Sequence, residues 1–220
     1  MTADDRRFLV KICGVTTAED AAAAVAAGAD LVGVNLWPGS TRFVGGVEPA
    51  RRVLAAVPAG VLRAGVFVNA AATEVERVAG ELGLDRVQLH GDERAADFPA
   101  LPRATLIRAV RVRDLDSFLE AAPWRAGLWL YDAFVAGFGG SGVTAPWPLV
   151  ARAGQRPFLL AGGLHPDNVA QAIALTRPDG VDVASGVEVR SSADDRRAPR
   201  KDPARMLAFV RTARAAAALL

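Results

Sequence analysis

The sequence predicts an α/β protein, a (β/α)8 TIM barrel in one domain spanning residues 1–220, and three observations carry that prediction. Short apolar runs alternate with helical stretches eight times, and such alternation builds parallel strands with helices packed over them. No composition break divides the 220 residues, of which 51% are hydrophobic, enough for one sizeable core. The alternative, an open doubly wound sheet, would place Gly-x-Gly-x-x-Gly after its first strand, where this chain has Cys13, Gly14, Val15 and Thr16.

The first apolar run, residues 8–13, ends in the single cysteine, Cys13. Gly14 follows, and Thr16 with Glu19 forms a Thr-x-x-Glu capping box for a helix ending at Ala27, before Gly28. A strand over 31–36 runs into the loop Trp37-Pro38-Gly39-Ser40-Thr41-Arg42-Phe43, irregular by its Pro, Gly and Ser content. A helix over 49–57, a strand over 62–68 punctuated by Asn69, and a helix over 73–82 stopped by Gly83 come next. The fourth unit pairs a strand over 86–89 with a helix near 93–100, and the fifth a strand over 105–112 with a helix over 115–122. A strand over 128–131 ends at Asp132 and opens a long glycine loop that reaches Gly142, before a helix at 148–153. A strand over 158–161 is followed by Gly162, Gly163 and a helix over 166–175 with Pro166 at its first position. The eighth strand, 181–184, leads to Ser185 and Gly186, and a helix from Pro203 to about Ala217 closes the chain.

Net charge is +2, with no basic stripe interleaved with aromatics, which argues against nucleic acid as a partner. A single cysteine excludes an internal disulfide and suits a reducing compartment. Residues 1–7 lack the apolar stretch of a signal peptide, and no apolar run reaches membrane-spanning length. A soluble, cytoplasmic protein without a membrane partner is expected.

In such a barrel the chemistry sits at the carboxyl ends of the strands. The candidates there are Cys13, the Arg42 loop, Asn69, Gln88 and His90, Arg111, Asp132, Gly162 with Gly163, and Ser185 with Gly186. Cys13 is either a small buried core residue or a site thiol. Asp132 is either a loop or cap acid or, if partly buried, a general acid of raised pKa. Arg42 is either solvated or a two-pronged clamp for a carboxylate. His90 either closes its strand or touches a substrate. The glycine turns after strands seven and eight are either ordinary tight turns or a phosphate cradle of bare N–H groups. The loop carrying Gly139 and Gly140 is either a linker or a cover that lends N–H groups to that phosphate.

Together, Lys11-Ile12-Cys13-Gly14, Gly65-Val66-Phe67-Val68-Asn69, Gln88-Leu89-His90-Gly91, Gly139-Gly140-Ser141-Gly142, Leu160-Ala161-Gly162-Gly163-Leu164 and Val181-Asp182-Val183-Ala184-Ser185-Gly186-Val187-Glu188 resemble phosphoribosylanthranilate isomerase of tryptophan biosynthesis. The resemblance runs in order through nearly the whole chain. It implies an Amadori rearrangement of N-(5-phosphoribosyl)anthranilate to 1-(o-carboxyphenylamino)-1-deoxyribulose 5-phosphate, with neither cofactor nor metal. By the same resemblance Asp132 is the general acid at the furanose ring oxygen, and Cys13 is the base that takes the C2′ proton. Arg42 holds the anthranilate carboxylate, and the glycine turns hold the phosphate. The implied partner is a small phosphorylated sugar–anthranilate, bound by a monomer or a homodimer.

Alternation puts Lys11 on the face of Cys13, where its charge would favour a thiolate. An inward lysine is costly unless paired, so Lys11 is expected to pair with Asp182 of the neighbouring eighth strand. Two stretches depart from the family pattern. Residues 189–200, read as a mobile surface insertion, stand before Lys201-Asp202, and Ala145-Pro146-Trp147 replaces the common Phe-Asp-Trp. A histidine-pathway phosphosugar isomerase on the same fold would carry aspartate at position 13, and a non-catalytic phosphate-binding barrel would have lost Cys13, Asp132 or Arg42; all three are present.

Overall fold

A computed structural model describes residues 8–133, 144–189 and 199–220. Eight parallel strands close into a barrel in sequence order: β1 (Leu9–Cys13), β2 (Leu31–Asn35), β3 (Leu62–Phe67), β4 (Arg86–Leu89), β5 (Leu106–Val112), β6 (Leu128–Ala133), β7 (Phe158–Leu160) and β8 (Gly180–Val183). Closure is made by β1 on β8, with Lys11 in register with Asp182. The outer ring consists of α1 (Ala18–Ala26), α2 (Val47–Leu54), α3 (Ala72–Leu82), α4 (Asp116–Glu120), α5 (Trp147–Ala153), α6 (Val169–Thr176) and α7 (Pro203–Ala217).

The period of two along each strand sorts side chains into two cores. Leu31, Ala64, Ile107, Ala109, Leu128, Leu130, Leu159 and Ala161 fill the barrel interior. Val10, Ile12, Val32, Val34, Ile173 and Phe209 belong to the layer between strands and helices. No described helix is long and apolar enough to cross a membrane.

Local chemistry sets the helix ends, with some corrections. The cap of α1 is Thr17, one residue beyond the expected box: its hydroxyl accepts from the Asp20 N–H at 3.1 Å. Gly83 ends α3 in the left-handed conformation, φ 58°. Asp202 caps α7 by accepting from the N–H groups of Ala204 (2.9 Å) and Arg205 (3.2 Å), with Pro203 at the first position. The helix expected near 93–100 is only a 3-10 turn, Ala95–Asp97. Pro99 and Pro102 remove two donors and disfavour helical backbone at the residues before them. A cavity of about 510 Å³ next to this turn has Glu93, Arg108, Ser117 and Trp124 in its lining. Pro166 sits in a turn, and α6 starts only at Val169, because Asn168 first accepts from the His165 N–H at 2.8 Å. The other bounds match or shift by up to three residues, within the usual fraying of element ends.

Gly139 and Gly140, and most of the 189–200 stretch, lie outside the described residues. The ends of that stretch are held by antiparallel pairing of Glu188 with Lys201, with Val189 N–H donating to Arg200 O (2.9 Å) and Asp202 N–H to Val187 O (2.8 Å).

Candidate active site

Cys13 is the last residue of β1 and is 9% exposed. A Cβ at Gly33, its partner on β2, would lie 3.1 Å from Cys13 Sγ and 3.2 Å from Lys11 Cε. The thiol and the lysine stem therefore occupy room that any other residue on β2 would fill. Lys11, fully buried, donates to Asp182 Oδ1 at 2.9 Å and to Gln88 Oε1 at 2.8 Å, so the expected pair is present. Burial works against its charge, but Asp182 and Cys13 outweigh it and hold the Lys11 pKa above its ordinary value. Burial pushes the Cys13 thiol up, and the Lys11 cation offsets only part of this. The expectation that Lys11 brings the thiol towards neutrality is thus corrected: desolvation wins.

Asp132 stands at the end of β6. Its Oδ1 accepts from the Ala133 N–H at 2.7 Å, and its Oδ2 lies 3.3 Å from His90 Nε2. Gly162, at φ 81°, makes this placement possible, since a Cβ there would lie 2.7 Å from Asp132 Oδ1 and 2.6 Å from the Ala133 nitrogen. Gly162→Ala is expected to displace the carboxyl and lower kcat roughly tenfold to a hundredfold, the scale of a displaced reacting group, with a smaller effect on KM. Unchanged steady-state kinetics would show that Asp132 tolerates the shift.

Arg42 crosses the end of β1 over Gly14, φ 68°, where a Cβ would lie 2.5 Å from Arg42 Cδ. Its Nε and Nη2 donate to Glu188 at 2.6 and 2.8 Å. The fork expected to grip a ligand carboxylate therefore grips Glu188, and Nη1 is the arm outside that fork. Glu188 also accepts from Lys201 Nζ at 2.8 Å, and Lys201 Nζ donates to Ala184 O at 3.0 Å. Burial tends to raise the Glu188 pKa, but Arg42 and Lys201 prevail and hold it below its ordinary value.

The turns after β7 and β8 touch. Gly162 and Gly163 have φ 81° and 61°, and Ser185–Val187 forms a 3-10 turn directly after β8. Gly186 lies so close to the Leu164 carbonyl that a Cβ would collide with it. Asn168 Nδ2 donates to Gly163 O at 2.9 Å, and Arg205 Nη2 donates to Gly186 O at 2.8 Å, fixing both turns from behind. Cys13, Asp132, Gly163 and Ser185 thus all stand at the carboxyl ends of strands around one mouth. Among the described residues no His, Cys, Asp and Glu cluster is placed to hold a metal ion.

Residues 10–198 match the family model of N-(5′-phosphoribosyl)anthranilate (PRA) isomerase. The chain belongs to the phosphoribosylanthranilate isomerase family. A phosphoribosylanthranilate isomerase of Pseudomonas fluorescens is 44% identical over 208 residues, covering 93% of this chain and 94% of that one. The crystal structure of the Thermotoga maritima phosphoribosylanthranilate isomerase superposes with a TM-score of 0.81 at 36% identity, covering 95% of this chain and all of that one. A phosphoribosylanthranilate isomerase crystallised with reduced 1-(o-carboxyphenylamino)-1-deoxyribulose 5-phosphate superposes with a TM-score of 0.76 at 34% identity, with 95% and 100% coverage.

The contacts of three neighbours of the isomerase site had no local signal in the sequence. Glu188 reaches Arg42 from 146 positions away, and Lys201 reaches Glu188 from across the 189–200 stretch. Gly33 matters only because β2 pairs with β1. Gln88 was visible as a strand-end residue, but its link to Lys11 spans 77 positions and emerges only when the barrel closes.

Proposed function

We propose that this isomerase of tryptophan biosynthesis converts N-(5-phosphoribosyl)anthranilate to 1-(o-carboxyphenylamino)-1-deoxyribulose 5-phosphate with Asp132 as acid and Cys13 as base. Asp132 gives its proton to the furanose ring oxygen as the bond to C1′ breaks, and the anilino nitrogen lone pair forms a Schiff base. The Cys13 thiolate then takes the C2′ proton to give the enolamine. Ketonisation adds a proton at C1′ and removes one from the C2′ hydroxyl. The observation that carries this assignment is the closed barrel, which puts the ends of β1 and β6 at one mouth with Asp132 held between Ala133 N–H, His90 and the gap at Gly162. Such an acid–base pair acts on two ends of one bound sugar, and positioning adds to proton transfer.

Three further assignments complete the site. The phosphate lies on the N–H groups of Gly162, Gly163, Ser185 and Gly186, supported by the contact between the two turns. Arg42 presents Nη1 to the anthranilate carboxylate while Glu188 holds the rest of its guanidinium. His90 borders the substrate beside Asp132. The enzyme works in the cytoplasm, where its single thiol stays reduced.

The direct test is the fluorescence decay of freshly formed phosphoribosylanthranilate on adding the protein; no acceleration would refute the assignment. Arg42→Ala is expected to raise KM about tenfold or more, as loss of a charge-assisted contact does, with kcat within a few-fold. A fall in kcat at constant KM would assign Arg42 to the chemistry instead. In a sulfate-soaked crystal the anion should sit at Gly163 and Gly186, and an anion seated on Arg200 would refute the cradle.

A further inference from the structure

A line of polar side chains reaches Asp132 from β1 and from the end of β4. Lys11 Nζ contacts Gln88 Oε1 at 2.8 Å, Gln88 Nε2 contacts His90 Nδ1 at 2.8 Å, and His90 Nε2 lies 3.3 Å from Asp132 Oδ2. Lys11 and Gln88 are 0% and 1% exposed. The direction of each contact follows from what each group can do. An ammonium only donates, so the atom facing Lys11 is the amide oxygen, and the amide nitrogen must face His90. An amide nitrogen also only donates, so His90 Nδ1 accepts, and the neutral ring carries its proton on Nε2. That Nε2 is buried and has no well-formed hydrogen bond among the described residues; the acceptor before it is the Asp132 carboxyl.

We propose that Lys11, Gln88 and His90 are positioning residues for the acid: Lys11 orients Gln88, Gln88 fixes the Nε2–H tautomer of His90, and His90 stabilises the Asp132 carboxylate formed when the acid gives up its proton. The proposal rests on the assignment of Asp132 as the acid. With the Ala133 N–H on Oδ1 and His90 N–H aimed at Oδ2, each carboxylate oxygen has a donor. Both donors favour the ionised form, the form that develops as the ring opens. A 3.3 Å contact in the free protein is long, and such contacts tighten once substrate is bound. Gln88 cannot pass a proton on without becoming an imidic acid, so the line sets orientation rather than carrying protons. Among the described residues Arg111 on β5 is the register neighbour of Asp132, and it pairs with Asp92; β7 is followed by Gly162.

Two measurements on the full chain test this. Long-range proton–nitrogen NMR of the imidazole rings reads the tautomer directly, with His165→Gln assigning the signals of the two histidines. The wild type should show His90 protonated at Nε2 with Nδ1 bare. Gln88→Glu, which is isosteric and keeps a partner for Lys11, accepts from Nδ1 and should leave that nitrogen protonated. In steady-state kinetics, His90→Asn and Gln88→Glu should lower kcat about tenfold or more with KM little changed. An Nδ1-protonated wild type, an unaltered ring in Gln88→Glu, or a wild-type kcat in His90→Asn would overturn the proposal. Asp132→Asn, run alongside, separates the two levels. If it is inactive while His90→Asn is normal, only the positioning line falls; if it is active, the acid assignment falls and takes the line with it.

Discussion

Cys13→Ala and Asp132→Asn are each expected to cut kcat by at least about a hundredfold, the scale for losing a general acid or base, while KM stays within a few-fold. Binding is preserved because the groups assigned to phosphate and carboxylate, the turns at Gly163 and Gly186 and the Arg42 guanidinium, are untouched. The thiol adds a pH signature. Burial holds the Cys13 pKa above its ordinary value despite Lys11, so the thiolate is scarce at neutral pH and the Cys13-dependent limb of turnover should lie on the alkaline side of a free thiol's. The same shift acts on stability. Below the unfolded-state pKa both states hold the proton and nothing is lost; as pH climbs from there through the raised folded value, the unfolded chain ionises first and stability falls. Steady-state kinetics and a pH series on the purified variants decide this. Near-native turnover in Cys13→Ala would make the thiol a packing residue and end its role as base.

Lys11→Met is expected to destabilise the protein by about 3–5 kcal/mol, the cost of leaving one member of a buried ion pair uncompensated. Asp182 would keep a carboxylate facing a barrel interior built from Leu, Ile and Ala, and Gln88 would lose the donor that orients it. For a domain of this size that corresponds to roughly 10 °C or more in Tm. The double variant Lys11→Met with Asp182→Leu should recover most of the loss, because removing both charges removes the desolvation cost as well. Thermal and urea denaturation of the three proteins measure it. A single variant within about 1 kcal/mol of wild type would mean that the pair carries little of the barrel's stability.

The parts of this molecule written in local pattern could be read from the chain. Alternating apolar runs mark the eight strands, and the glycines after β7 and β8 mark the turns that now touch at Leu164 and Gly186. Lys11 and Asp182 followed from alternation plus closure, since β1 and β8 must be neighbours. What failed was either a local contest or a long-range meeting. The helix after β4 lost to Pro99 and Pro102, whose restriction outweighs the helix-forming Glu93, Arg94, Ala95 and Ala96. The cap of α1 moved by one residue because two threonines compete for it. The grip of Glu188 on Arg42, and the depth of desolvation around Cys13, depend on distances that no spacing in the sequence encodes.

The antiparallel clasp of Glu188 with Lys201 has a consequence for how this gene tolerates change. Lys201 is tied to Glu188 and to Ala184, its N–H donates to Asp20, and Asp20 in turn receives the Arg200 guanidinium. Both banks of the 189–200 stretch are therefore moored to the barrel independently of what spans them. Closing a longer span costs only about 0.6 kcal/mol per doubling of length, and that cost falls on the span rather than on the moorings. Residues added or removed between those moorings, by drift or by design, are therefore expected to leave Arg42 in its seat on Glu188.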